Sequence, residues 1–203
     1  MSDPAMPLPM SGRHFDAVVI GASAGGVEAL CTLLPTIAIG TRTSFFIVLH
    51  LPRDRPSLLA RIFQDRCALP VREAQDKEPV AAGTVYVAPP DYHLLLDEGP
   101  RIALSTDDPV NFSRPAIDVL FESAADLYAD RLLAIVLTGG NRDGAAGLAA
   151  VAAAGGGLVV QDPSGAQVSV MPESALQRNP GSEVLSLEAI GRLLAGLGGP
   201  SPA

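Results

Sequence analysis

The chain has no tryptophan, only 4% aromatic residues, two cysteines and three histidines among its 203 residues. Each scarcity excludes something. With so few aromatic rings, the core has to be filled by Ala, Val, Leu and Ile, the filling typical of a parallel sheet covered by helices. Cys31 and Cys67 are too few and too widely spaced for a metal cluster or a disulfide framework, and they read as ordinary thiols of a reducing cytoplasm. Basic residues number 14 against 22 acidic ones, a formal net charge of -8, which argues against a general nucleic-acid binder. No apolar run approaches the length of a membrane span, and the Pro-rich start lacks the basic and apolar regions of a signal peptide. No Gly-Lys-Ser/Thr occurs anywhere, so there is no nucleotide P-loop.

What the chain does have is glycine at the ends of apolar runs. Ala17 to Ile20 form a β-branched stretch of the kind buried on both faces of a sheet, and Gly21-Ala22-Ser23-Ala24-Gly25-Gly26 follows at once, leading into an apparent helix. The spacing G-x-x-x-G-G is not the dinucleotide fingerprint, and the next strand ends in His50 rather than an acid. It does match G-x-S-x-G, the nucleophile elbow, in the strand-turn-helix setting that motif requires. Taken alone, Ser23 could equally be a small polar residue in a βα turn, so its reading depends on finding a base.

Ser44 to Leu49 reads as a second buried strand and delivers His50. Right-handed crossover connections put the carboxyl ends of such strands on one side of the sheet, so Ser23 and His50 are expected as neighbours. His14 precedes the first strand and His93 opens a hairpin, His93 to Ser105. Leu132 to Leu137 is a third strong strand, ending in Thr138-Gly139-Gly140-Asn141-Arg142-Asp143-Gly144 before an alanine-rich helix. Asp143 is the first candidate to orient the histidine, with capping of the following helix as the alternative use of its side chain. Asp162 competes for that role, and Asp91 and Asp118 rank lower. The order Ser, His, Asp differs from the Ser, Asp, His of ordinary α/β-hydrolases.

The remaining elements are a helix from about Gly26 to Leu34, another after Pro56 with Leu58, Leu59, Ile62 and Phe63 on one face, and short strands at Val71 to Ala74 and Gly83 to Ala88. Helices are expected from Ala116, from Met171, and over Leu185 to Leu197, with a strand at Leu158 to Val160. The fold class is therefore α/β, a doubly wound, mostly parallel sheet with helices on both faces and an appended antiparallel hairpin. Residues 1–14 are expected as a flexible leader, 15–197 as one domain and 198–203 as a loose tail. Arg53, Arg55, Arg61 and Arg66 read as a solvated helix face or, beside a site at His50, as a basic patch suited to an acidic partner.

Six collinear blocks make the chain resemble the catalytic domain of the chemotaxis protein-glutamate methylesterases, the CheB family: VVIGASAGG (Val18 to Gly26), IVLHLP (Ile47 to Pro52), VYVAPPDYHL (Val85 to Leu94), SRPAIDVLF (Ser113 to Phe121), VLTGGNRDGAAGL (Val136 to Leu148) and VMPESAL (Val170 to Leu176). The resemblance implies a triad at Ser23, His50 and Asp143, hydrolysis of glutamyl methyl esters on chemoreceptor helices or a related methylated protein, a related glutamine deamidation, and no metal or cofactor. Backbone amides near Ala24 and Gly25, and at Gly139 and Gly140, are the expected oxyanion donors. The chain departs from the family in having Ala24 where Thr is common and Gly140 where Met is common. Only a short leader precedes the first strand, so a stand-alone catalytic domain is expected, without the family's receiver domain and with constitutive activity or control from a separate protein. A docking module without turnover, and an esterase with a different substrate, are the alternatives.

Overall fold

The structure, a computed structural model, describes residues 12–50 and 57–197. Seven strands form one parallel sheet in the order β3-β4-β2-β1-β7-β8-β9. They are β1 (Ala17–Ala22), β2 (Ser44–Leu49), β3 (Val71–Glu73), β4 (Val85–Val87), β7 (Leu132–Val136), β8 (Gly157–Gln161) and β9 (Glu183–Leu185). A separate antiparallel pair, β5 (His93–Asp97) and β6 (Arg101–Ser105), is the expected hairpin. The helices are α1 (Gly26–Leu33), α2 (Leu59–Gln64), α3 (Ile117–Tyr128), α4 (Ala145–Ala153), α5 (Val170–Arg178) and α6 (Leu187–Gly196).

The apolar runs explain why the sheet is covered twice. Along β1, Val18 and Ile20 face one side with Phe45, Ile47, Leu133 and Ile135, where Leu30, Leu33, Ile190 and Leu194 of α1 and α6 cover them. Ala17 and Val19 face the other side with Phe46, Val48, Ala134 and Val136, under Leu120 and Phe121 of α3 and Leu148 of α4. Period-two alternation of residues that are all apolar is what a two-sided core requires. The hairpin lies outside α3, with Leu94, Leu96 and Ile102 buried against that second face.

The structure departs from expectation in three places. β9 is missed because Glu183-Val184-Leu185 is too short and too polar to read as a strand, yet it pairs with β8 over Val159 to Gln161, so the last helix begins at Leu187 rather than Leu185. α1 ends at Leu33, within a residue of its expected end, and Pro35 lies in the 3-10 turn that follows, Leu34–Thr36. In α2 only Leu59 and Phe63 are buried; Leu58 is 65% exposed and Ile62 39%, because a six-residue helix presents a narrow buried stripe. The leader, expected through His14, lies largely outside the described residues, but Arg13 donates to the carbonyls of Asp130 and Gly155 and stacks on Phe15. The expected tail, 198–203, is also outside them.

Candidate active site

Parallel register brings the site together before any side chain is considered. Ala22 pairs with Leu49 across β1 and β2, and Gly21 pairs with Val136 across β1 and β7. The next residues along these three central strands are Ser23, His50 and the start of the Thr138 to Gly144 loop. Backbone bonds continue the pairing past the strands: His50 N–H donates to Ala22 O at 3.2 Å and Ser23 N–H to Thr138 O at 2.9 Å.

Both glycine loops open their helices in the same way. Gly25 and Gly144 stand just before α1 and α4 in left-handed conformations, φ 79° and 92°, and neither helix has a side-chain cap. A Cβ at Gly144 would meet Ile117 Cγ2 at 2.9 Å, and one at Gly25 would meet Gln167 at 2.6 Å, so steric crowding adds to the conformational need for glycine. Thr138 locks the two loops to each other. Its hydroxyl donates to Ala24 O at 2.8 Å and accepts from Val168 N–H at 2.9 Å.

His50 and Asp143 are in direct contact, Nε2 to Oδ2 at 2.9 Å, with side-chain exposures of 12% and 0%. That oxygen also accepts from Ile117 N–H at 2.7 Å. The other carboxylate oxygen accepts from Asp118 N–H, Gly144 N–H and Asn111 Nδ2, at 3.1, 3.1 and 3.2 Å. Burial alone would raise the Asp143 pKa, but the His50 hydrogen bond and the Ile117 and Asp118 amides outweigh it and hold the carboxyl below its ordinary range. Capping and orienting a histidine were posed as alternative uses of this side chain. The structure shows both at once, and the helix whose first amides it takes is α3, not the α4 that follows it.

The competing acids are occupied elsewhere. Asp162 accepts from the Ser164 amide and hydroxyl at the surface, and Asp91 pairs with Arg114 at 2.8 Å. Asp118 is buried and accepts from Gly144 N–H, Gly147 N–H and Asn111 Nδ2 at 2.9, 2.7 and 2.8 Å. Desolvation, with the Asp143 charge beside it, pushes its pKa up. Of the other histidines, His93 is buried, its Nδ1 accepting from Ala116 N–H at 3.2 Å, and His14 pairs with Asp16 at the surface. Of the basic patch, Arg61 and Arg66 are exposed beside or on α2, and Arg53 and Arg55 lie outside the described residues.

Two contributors were not singled out from sequence. Asn111 joins Asp118 to Asp143 with a single amide, and Thr138 staples the two loops. A signal for Asn111 was present: Val110-Asn111-Phe112-Ser113 places Asn where a tight turn needs positive φ. Of the proposed oxyanion loop, Gly139 N–H already donates to Val168 O at 3.0 Å. A Cβ on Gly139 would lie 2.5 Å from Met171 Cε, whereas one on Gly140 would have only Val168 Cγ1 at 4.0 Å.

The chain also has relatives. A family model described as CheB methylesterase matches residues 18–194. The chain belongs to the CheB methylesterase family. The expectation of an ester hydrolase of the methylesterase type is met by that membership. A putative protein-glutamate methylesterase/protein-glutamine glutaminase of Leptospira interrogans is 44% identical over 180 residues, covering 89% of this chain and 93% of the relative. The protein-glutamate methylesterase/protein-glutamine glutaminase of Symbiobacterium thermophilum is 39% identical over 173 residues, which is 85% of this chain but 48% of that protein. The crystal structure of the Thermotoga maritima CheB methylesterase catalytic domain superposes with a TM-score of 0.85 at 32% identity, covering 91% of this chain and 100% of that one. The doubly wound sheet and its antiparallel pair are thus the fold of a CheB catalytic domain. No helix among the described residues is long and apolar enough to cross a membrane.

Proposed function

We propose that this chain hydrolyses γ-glutamyl methyl esters on chemoreceptor helices or a related methylated signalling protein in the cytoplasm, with Ser23 as nucleophile, His50 as general base and Asp143 as its orienter. The observation that carries the reading is the 2.9 Å bond between His50 and the buried Asp143 carboxylate, on the strand next to the Ser23 turn. With Nε2 donating to Asp143, His50 Nδ1 is the nitrogen left to take the Ser23 proton as Oγ attacks the ester carbonyl. Asp143 stays ionised and stabilises the imidazolium that results.

Negative charge then develops on the carbonyl oxygen at the N-terminus of α1, where the amides of Ala24 and Gly25 are the nearby donors. In the second loop, Gly140 rather than Gly139 is left to contribute, because the Gly139 amide is committed to Val168. Methoxide departs as methanol with the proton held on His50. Water, deprotonated by the same nitrogen, then releases glutamate from Ser23. A glutamine side chain follows the same route with ammonia as leaving group, and no step calls on a metal or cofactor.

Release of methanol from methylated chemoreceptor membranes by the purified chain, with Ser23→Ala as the paired control, tests the proposal. Turnover abolished in the variant is expected. Turnover that survives Ser23→Ala, or receptor binding without any turnover by the intact chain, overturns it.

A further inference from the structure

Two buried carboxylates meet where α3 packs on the β7–α4 unit, and each takes amides from the other's element. Asp143, from the loop, accepts Ile117 N–H and Asp118 N–H at the start of α3. Asp118, from α3, accepts Gly144 N–H and Gly147 N–H at the start of α4, both on Oδ1. The exchange needs close approach: a Cβ on Gly147 would lie 2.9 Å from the Asp118 carbonyl oxygen and 2.6 Å from Phe121 Cβ. Asp118 Oδ2 is left over, and it accepts from Asn111 Nδ2 at 2.8 Å. The same nitrogen reaches Asp143 Oδ1 at 3.2 Å, so one amide group donates to both carboxylates.

The direction of that amide is forced. Ionised carboxylates only accept, and an amide oxygen turned inward would oppose both Asp118 Oδ2 and Asp143 Oδ1. Asp118 therefore fixes which end of Asn111 faces Asp143. The turn that carries Asn111 is held without its side chain. Val110 and Ser113 bond each other through their backbones at 3.1 and 2.9 Å, and Arg114 ties the segment to Asp91 and to the carbonyls of Thr106 and Asp107. Asn111 itself has φ 49°, a conformation that asparagine tolerates. On the outer side, Asn111 and Asp118 line a cavity of about 310 Å³ with Arg142, Ser174, Gln177 and Arg178, and the wholly buried Asp143 is not in its wall. The amide closes the outer side of a carboxylate whose other oxygen engages His50.

We propose that Asn111 is a positioning residue of the triad: oriented by Asp118, its amide donates to Asp143 Oδ1 and so keeps Oδ2 turned to His50. This rests on the hydrolase reading above and deepens it, because the unit acts through Asp143 and touches no reacting atom. Among the described residues, Asp143 has one side-chain donor on each oxygen, His50 on Oδ2 and Asn111 on Oδ1. Removing the second frees the carboxylate to turn about its own Cβ–Cγ bond toward the cavity.

Three variants test it. Asn111→Ala removes the donor. Asn111→Asp puts an acceptor of the same shape between the two carboxylates. Asp118→Asn changes only the oxygen that Asn111 uses and leaves Oδ1 for Gly144 and Gly147. Each is expected to lower kcat for methanol release from a methylated chemoreceptor cytoplasmic fragment by about tenfold or more, the worth of a hydrogen bond to a charged group, with KM within about threefold. Asp118→Asn added to Asn111→Ala is expected to cost at most about threefold further, since both break one linkage. Proton NMR of the Ser23→Ala protein reads the same linkage without turnover. The His50 Nε2 proton, downfield while it is bonded to Asp143, is expected to exchange faster with water and to lose that position in both Asn111 variants. Unchanged kcat in the Asn111 variants, losses that multiply in the double variant, or a His50 resonance that stays in place overturns the proposal; the last result, with a lowered melting temperature, leaves Asn111 a structural role alone. If the intact chain releases no methanol and the Asn111 variants still move the His50 resonance, the positioning stands and the hydrolase reading falls.

Discussion

The chain builds one local structure twice, in β1 to α1 and in β7 to α4: a buried strand, a glycine turn with a left-handed residue, and a helix with no side-chain cap. The two units treat their polar residue in opposite ways. Ser23 sits partly exposed in its turn, which is held by backbone bonds and by Thr138. Asp143 is wholly enclosed and accepts from three backbone amides, an asparagine amide and a histidine. The lesson is a division of labour. In the proposed mechanism, the residue that must reach substrate is placed by the main chain around it, and the residue that must only orient another is fixed by saturating its own oxygens.

Substituting one residue of each unit separates the two designs. Ser23→Ala and Asp143→Ala are both expected to lower ester hydrolysis on the order of 10⁴-fold or more. Their stabilities diverge. Ser23→Ala should stay within about 0.5 kcal/mol of the parent. Asp143→Ala strands buried N–H groups of Ile117, Asp118 and Gly144 and should cost about 1–3 kcal/mol. Urea denaturation of the two variants checks this, and equal midpoints would erase the contrast.

Acid sharpens the same comparison. The Asp143 pKa is depressed in the folded protein, so its contribution to stability is present above the unfolded value of about 3.9 and is lost as pH falls through the folded one. Asp118, whose pKa is raised, works with the opposite sign: its contribution is present below the unfolded value and disappears as pH rises through the folded one. Asp143→Asn is therefore expected to flatten the decline in urea midpoint below about pH 4, while Ser23→Ala leaves that decline as it is. The smallest effect is reserved for the loop itself. Gly140→Ala meets no atom closer than 4.0 Å and should change stability by less than about 1 kcal/mol and turnover only a few-fold, whereas the adjacent Gly139→Ala collides with Met171.

How far this was legible in the sequence follows from where each signal resides. Strands buried on both faces announce themselves as continuous apolar runs, so β1, β2 and β7 stood out, and with them the strand ends that carry Ser23 and His50. The choice of Asp143 over Asp162 followed from glycine density in its loop. β9 was invisible because a three-residue edge strand carries no periodicity. Leu58 and Ile62 were misassigned to a buried face because apolar character alone does not say which side of a short helix is covered. The role of Asn111 and the double use of Asp143 depend on α3 meeting the β7–α4 loop, a tertiary encounter that no local window contains.

The proposed site also sets a condition on when the protein would become active as it is made. His50 and Asp143 are 93 residues apart, and their contact forms only once β7 has paired with β1 in the middle of the sheet. Parallel pairings between such distant segments pay their loop-closure entropy before any contact repays it. Under the proposed mechanism, a nascent chain shorter than Asp143 has nucleophile and base but no orienter, so methyl-ester turnover would report the docking of the β7–α4 unit onto a sheet begun more than a hundred residues earlier.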